Sequence, residues 1–177
     1  MKKTIAILFL ILTFFIIYFL QSNFFMWFNM AGIMPNLYII LVLFIGLFAK
    51  RKMGLTFGIV FGIYLDVVLG KAVGISGLLL GGIGLLGEIL SKNFSKDSKF
   101  TIMLMVLEST ILYEVANYIF RIIKVGATVE IISFIKILLI EILFNEVLTI
   151  ILYPLIKKAG YYLEDLFEDK VMLTRYF

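Results

Sequence analysis

The stretch 138-LLIEILFNEVLTIILYPLIKK-158 has the length and oiliness of a membrane-spanning helix, yet Glu141, Asn145 and Glu146 stand in its middle. Hydrocarbon offers no hydrogen-bond partners, and a charge at the centre of such a helix costs about 2.5–3.5 kcal/mol on insertion scales. Groups placed there do chemistry, bind a ligand or hold helices together. The rest of the chain has to decide among these.

Composition narrows the choice first. Of 177 residues, 63% are hydrophobic, and the mean hydropathy is +1.11. Globular domains are roughly half apolar, so the class expected is all-α: a polytopic integral membrane protein with no room for a second, soluble domain. Cysteine is absent, which removes disulfides and thiol chemistry. Histidine is absent too, and with it the commonest metal ligand and the usual general base near neutral pH. The net charge of +4 is no nucleic-acid signal, because the basic residues lie in short loops between apolar runs.

A crossing needs about 20 apolar residues at 1.5 Å rise each. That ruler gives six candidate spans, at about 4–22, 32–49, 53–70, 73–91, 100–121 and 131–156, followed by a short tail, 157–177. The opening MKKTIAILFLILTFFIIYFLQ imitates a signal peptide, but no small-x-small site follows, so an uncleaved first span is expected. The second span is the weakest: only 37–49 is fully apolar, and it reaches full length only if Pro35 and Asn36 sit at the outer end of its helix. With the N-terminus inside, twelve basic residues fall on the cytoplasmic side, from Lys2 to Arg175. Three fall outside (Lys71, Arg121, Lys124), and Lys136 lies within the last span. The positive-inside rule then puts both termini in the cytoplasm. The stretch 24–29, FFMWFN, reads as an aromatic belt at the outer interface.

Two glycine stripes organise the middle of the chain. Gly54, Gly58 and Gly62 recur every fourth residue and Asp66 continues the step, while Gly77, Gly81, Gly84 and Glu88 share a face of the next span. Joining helices in lipid brings little hydrophobic gain, so close backbone contact at small residues supplies much of the attraction. Spans three and four should therefore pack tightly, against each other or a neighbour, with Gly70 and Gly74 shaping a tight turn between them.

Further polar groups lie in the last two spans: Glu108, Glu114 and Asn117 in the fifth, Lys136, Glu141, Asn145 and Glu146 in the sixth. Glu141, Asn145 and Thr149 fall on one face at i, i+4 and i+8. Because the two spans are antiparallel, Lys136 is expected to pair with Glu114. Catalysis is not expected. An intramembrane aspartyl protease needs two facing aspartates and Asp66 is the only one in a span, a serine dyad needs histidine, and no phosphate-cradling loop is present. No catalytic, metal or cofactor residues are assigned, and two readings remain. In the first these groups are polar glue between helices or with a partner subunit; in the second the chain is a solute-binding membrane subunit or small transporter using buried carboxylates.

Residues 34–74, MPNLYIILVLFIGLFAKRKMGLTFGIVFGIYLDVVLGKAVG, carry Pro35-Asn36 before the second span, a basic turn, a glycine-rich third span, and Asp66 four residues before Gly70 and eight before Gly74. Residues 144–158, FNEVLTIILYPLIKK, close an Asn-containing span on a Pro-containing segment and a basic cluster. Together these resemble the bacterial rod shape-determining protein MreD family. The resemblance implies a non-enzymatic scaffold subunit in the bacterial cytoplasmic (inner) membrane, serving the cell-elongation machinery that supports lateral peptidoglycan growth. It implies association with an MreC-like single-span membrane protein, and work alongside an MreB filament and a glycosyltransferase–transpeptidase pair. It also implies an architecture similar to the substrate-binding subunits of vitamin (ECF-type) transporters. Pro35, Asn36, Asp66, Gly70, Gly74 and Asn145 match the family pattern, in structural rather than catalytic roles. Glu108, Glu114 and Glu146 match no family motif, and their role rests on the physical argument alone. In the tail, Leu163, Leu166 and Phe167 share a face; an amphipathic helix and a solvated tail both fit that pattern.

Overall fold

A computed structural model describes residues 2–27, 32–49, 52–70, 72–126 and 128–167. Phe28, Asn29, Lys50, Arg51, Lys71 and the tail from Glu168 onward, on which some sequence expectations rest, lie outside these described residues. The described chain is all helical: α1 (Lys2–Phe19, continued by a π-helical turn Leu20–Phe24), α2 (Leu37–Phe48), α3 (Met53–Val68), α4 (Ile75–Asn93), α5 (Lys99–Val125) and α6 (Ile131–Phe167). Three helical segments, Lys2–Phe24, Ile75–Asn93 and Lys99–Lys124, are long and apolar enough to cross a membrane; α2 and α3 are apolar but shorter.

The centre of the bundle is α2, where every residue but Tyr38 is buried. A helix apolar all round has no face to offer water and is stable only when surrounded. At 12 residues it is about 18 Å long, well short of the hydrocarbon thickness. Pro35 and Asn36 do not extend it, contrary to the full-length second span expected from sequence: the helix begins at Leu37. Proline has no N–H to donate, and the N–H groups of Asn36 and Leu37 are taken by side chains of other helices.

Around α2, the glycine-bearing helices α3 and α4 share the most extensive contact in the molecule, with α2 and α4 next. The stripes expected from sequence do meet. A Cβ added at Gly62 would strike the backbone of Ser76 and Gly77; one at Gly84 would strike the carbonyl of Gly54. A Cβ at Gly54 would lie 2.6 Å from the Cα of Gly46 in α2. Gly46 and Gly87, the latter against the Leu43 carbonyl, belong to the same seam but fall outside the two stripes. Here main chain packs on main chain, and no other residue type fits.

The remaining helices enclose this trio. Helix α6 has no break at Ile156, the expected end of the membrane domain, and runs on to Phe167 with Leu163, Leu166 and Phe167 buried. That extension meets the α4–α5 turn. Lys157 Nζ lies 2.8 Å from Asp97 Oδ1, and the Tyr161 hydroxyl donates to the same oxygen at 2.8 Å. Tyr153 donates to the Asp97 carbonyl at 2.7 Å, and Lys96 pairs with Glu164 at 3.0 Å. Lys2 approaches Asp165 at 3.6 Å, so the start of α1, the α4–α5 turn and the end of α6 share one end of the bundle. Trp27, at the other end, is 91% exposed.

Candidate functional site: a polar network inside the bundle

A helix that starts inside a membrane protein leaves its first N–H groups without partners, and in hydrocarbon such groups must be met from within. That requirement explains Asn145. Its Oδ1 accepts the Asn36 N–H at 2.8 Å. Its Nδ2 donates to Thr110 Oγ1 at 3.0 Å. The Thr149 hydroxyl donates at 2.7 Å to the Asn145 backbone carbonyl. All three polar side chains are essentially inaccessible: Asn145 and Thr110 at 0%, Thr149 at 1%. From α1, Gln21 completes the arrangement, donating to the Pro35 carbonyl at 2.6 Å and accepting the Leu37 N–H at 3.2 Å. One residue thus ties α2, α5 and α6 together, and a second adds α1.

The Asn145–Thr110 bond also fixes the register of α5 against antiparallel α6. Moving four residues along each helix in opposite senses brings Glu114 opposite Glu141. Glu141 is buried and faces the Glu114 and Asn36 side chains. The expected Lys136–Glu114 pair is therefore not formed. Lys136 stands five residues before Glu141, about 7 Å along the axis, and is exposed. Antiparallel order was read correctly; the rotation of each helix about its axis was not in the sequence.

Asp66 has a different and more local task. Its Oδ2 accepts the N–H of Gly74 at 2.8 Å and of Ser76 at 3.0 Å, capping the start of α4. Gly70 and Gly74, with φ of +62° and +100°, bend the chain back so that these donors reach the carboxyl. Both angles are cheap only for glycine. The spacing Asp66, Gly70, Gly74 is the spacing of a capped turn.

The other singled-out residues divide by exposure. Pro35 is buried and Asn36 half-buried, beside Gln21 and Asn145. Gly54, Gly58 and Gly62 lie in the glycine seam. Glu114 and Asn117 line a polar cleft of about 260 Å³ with Tyr118, Arg121 and Glu130. Glu146 is half-buried, and among the described residues neither of its carboxyl oxygens has a hydrogen-bond partner. Glu108 is exposed. Sequence reasoning missed Gln21, Thr110, Gly46 and Asp97. For Gly46 a glycine within the run LYIILVLFIGLFA was a usable signal; for Gln21 and Thr110 only their position inside apolar runs hinted at a role.

Chemically, the network satisfies backbone and orients helices. Among the described residues no group of three or more acidic or metal-ligating side chains could hold a metal ion. Neither Glu141 nor Asn145 lines the apolar groove of about 490 Å³ between α1, α2 and α6.

Comparison with curated proteins gave no match, nor did comparison with solved structures. A family model described as "rod shape-determining protein MreD" matches residues 1–159, a range that takes in the glycine seam, the Asp66 cap and the Asn145 network, and the chain belongs to that family.

Proposed function

We propose that the chain is a non-enzymatic scaffold subunit of the bacterial rod-shape machinery. Membership of the MreD family ties it to rod-shape determination and to a bacterial membrane. Beyond that, the reading is a six-crossing protein of the cytoplasmic membrane with both termini on the cytoplasmic side. It holds an MreC-like single-span protein and, directly or through it, the MreB filament and a glycosyltransferase–transpeptidase pair. The observation that carries this reading is the employment of Asn145, Thr110, Thr149 and Gln21 in helix-to-helix hydrogen bonds. A solute-binding subunit would aim such groups into a chamber, and the groove between α1, α2 and α6 is lined almost wholly by apolar residues.

The likeness to vitamin-transporter binding subunits is part of the same proposal, as ancestry rather than activity. Affinity purification of the full chain from native membranes tests it. The expected result is co-purification of a single-span protein and wall-synthesis enzymes without added ligand. Recovery of an energising ATPase instead, together with thermal stabilisation by a small solute, would replace this reading with the transporter one.

A further inference from the structure

The outward face of α5 carries one polar residue in an otherwise apolar stripe. Phe100, Leu104, Leu112, Val115, Ile119 and Ile123 are all exposed, at 37–73% of their surface, and they recur at steps of three and four with Glu108 between Leu104 and Leu112. Glu108 itself is exposed and, among the described residues, has no hydrogen-bond or ion-pair partner. It lies nine residues beyond Lys99, the first residue of α5, about 14 Å along the axis, in a helix apolar and long enough to cross a membrane. Thr110, the residue level with Asn145, is only two residues away.

A carboxyl at that depth on an exposed apolar stripe carries an insertion penalty that no partner among the described residues offsets. Among the described residues of α5 and α6, the same depth offers no cation. Glu146, within about 3 Å of that level by the register of the Thr110–Asn145 bond, is a second carboxyl without a partner. Lys136, in the interior of the last expected span, lies about 16 Å away along α6. A second copy of this chain related by an axis along the membrane normal keeps every residue at its own depth. It would bring Glu108 to Glu108, with Lys136 out of reach. A copy therefore supplies the wrong charge.

We propose that the Phe100–Ile123 face of α5 is a docking surface for a transmembrane helix of another protein, one that presents a lysine or arginine at the depth of Glu108. The apolar stripe gives contact area and the carboxyl fixes register and partner, as interhelical ion pairs do in membranes. This rests on the scaffold reading and names the surface that reading requires.

The test places a photo-crosslinking residue at Leu104 or Leu112 of the full chain in its native membrane, with Leu8 and Leu12 on the exposed face of α1 as controls. The expected result is an adduct from the α5 positions, absent from α1, with a protein whose spanning segment contains a basic residue. Glu108→Ala should lower its yield at least tenfold, and Glu108→Lys should do the same. Neither should shift the Tm of the purified chain by more than about a degree, since Glu108 has no internal partner. Replacing the partner's basic residue by Glu should restore the Glu108→Lys adduct. An adduct with a second copy of the chain, labelling of lipid alone, an adduct indifferent to Glu108→Ala, or failed charge-swap rescue would each overturn the proposal. If wall-synthesis proteins still co-purify with Glu108→Ala, this surface fails and the scaffold reading stands; if they do not co-purify with the unaltered chain, the scaffold reading itself fails.

Discussion

The α2–α3–α4 trio and the α5–α6 pair solve the same problem, joining helices where the hydrophobic effect gives little help, by opposite means. In the trio, side chains are deleted until backbones touch, and the buried carboxyl of Asp66 serves a turn eight to ten residues further on. In the pair, polar side chains reach across, and Asn145 serves a backbone donor 109 residues earlier. The first solution depends on shape and tolerates no added atom. The second depends on a few hydrogen bonds, each worth only about 0.6–2 kcal/mol in membranes, and so should yield gradually.

The strongest way to break that contrast is to add one methyl group to the seam. Gly84→Ala would push a Cβ into the Gly54 carbonyl, and backbone is slow to give way. A loss of about 3 kcal/mol is expected, at the upper end for overpacking, read as a large fall in Tm in detergent or as failure to accumulate. Gly82 is the matched control, two residues away with nothing within 4 Å of an added Cβ. Gly82→Ala should be neutral or stabilising by up to about 1 kcal/mol, the helix-propensity gain. Equal losses at both positions would mean that glycine flexibility, not closeness, is what matters here.

Next in size is the Asp66 cap. Asp66→Ala leaves the N–H groups of Gly74 and Ser76 without their acceptor, in a site that is 0% accessible at the carboxyl-bearing residue. At roughly 1–3 kcal/mol for each buried orphan donor, and with the Gly74 bond only part-buried, a loss of about 2–3 kcal/mol is expected. Asp66→Asn keeps an oxygen able to accept both bonds and should lose less than half as much. Asn145→Ala should cost about 2 kcal/mol, for the orphaned Asn36 N–H and the broken Thr110 bond. A double-mutant cycle with Thr110→Val should show the two residues coupled by about 0.6 kcal/mol. Strict additivity would dissolve the network into separate contacts.

The same contrast explains what could be read in advance. Helical class, the rough positions of the six helices and the meeting of the glycine stripes rest on periodicity and run length, which are local properties of the chain. The Asp66–Gly70–Gly74 turn is local too, its elements within ten residues. The start of α2 is not. That Leu37 opens the helix rather than a residue several positions earlier follows from Gln21 and Asn145, which lie on other helices. Glu141 and Asn145 were legible as groups needing partners. Which partners they would find depended on helix rotation, to which a hydrophobic pattern in a chain apolar on nearly every face is almost blind. The Lys136–Glu114 pairing failed for that reason.

The smallest expected effect lies where the two assemblies are clasped together, at the α4–α5 turn on the extension of α6. Hydrogen bonds from Lys157 and Tyr161 hold the Asp97 carboxyl below its ordinary value of 3.8. Stability from this contact is therefore complete above about pH 5 and is lost as pH falls through the lowered value. The hydrogen bond to Asp97 raises Lys157 above its ordinary 10.5 and Tyr161 above its ordinary 10.0. Their contribution is present below those values and is lost as pH rises through the raised ones. The difference in Tm between the unaltered chain and Asp97→Asn should accordingly be constant from about pH 5 to 9 and shrink at both extremes. All three groups are at least a third exposed, so salt should reduce that difference as well. A difference that instead changed between pH 5 and 8 would point to a group other than Asp97, and would mean that the trio and the pair are joined chiefly through the membrane interior rather than at this exposed end.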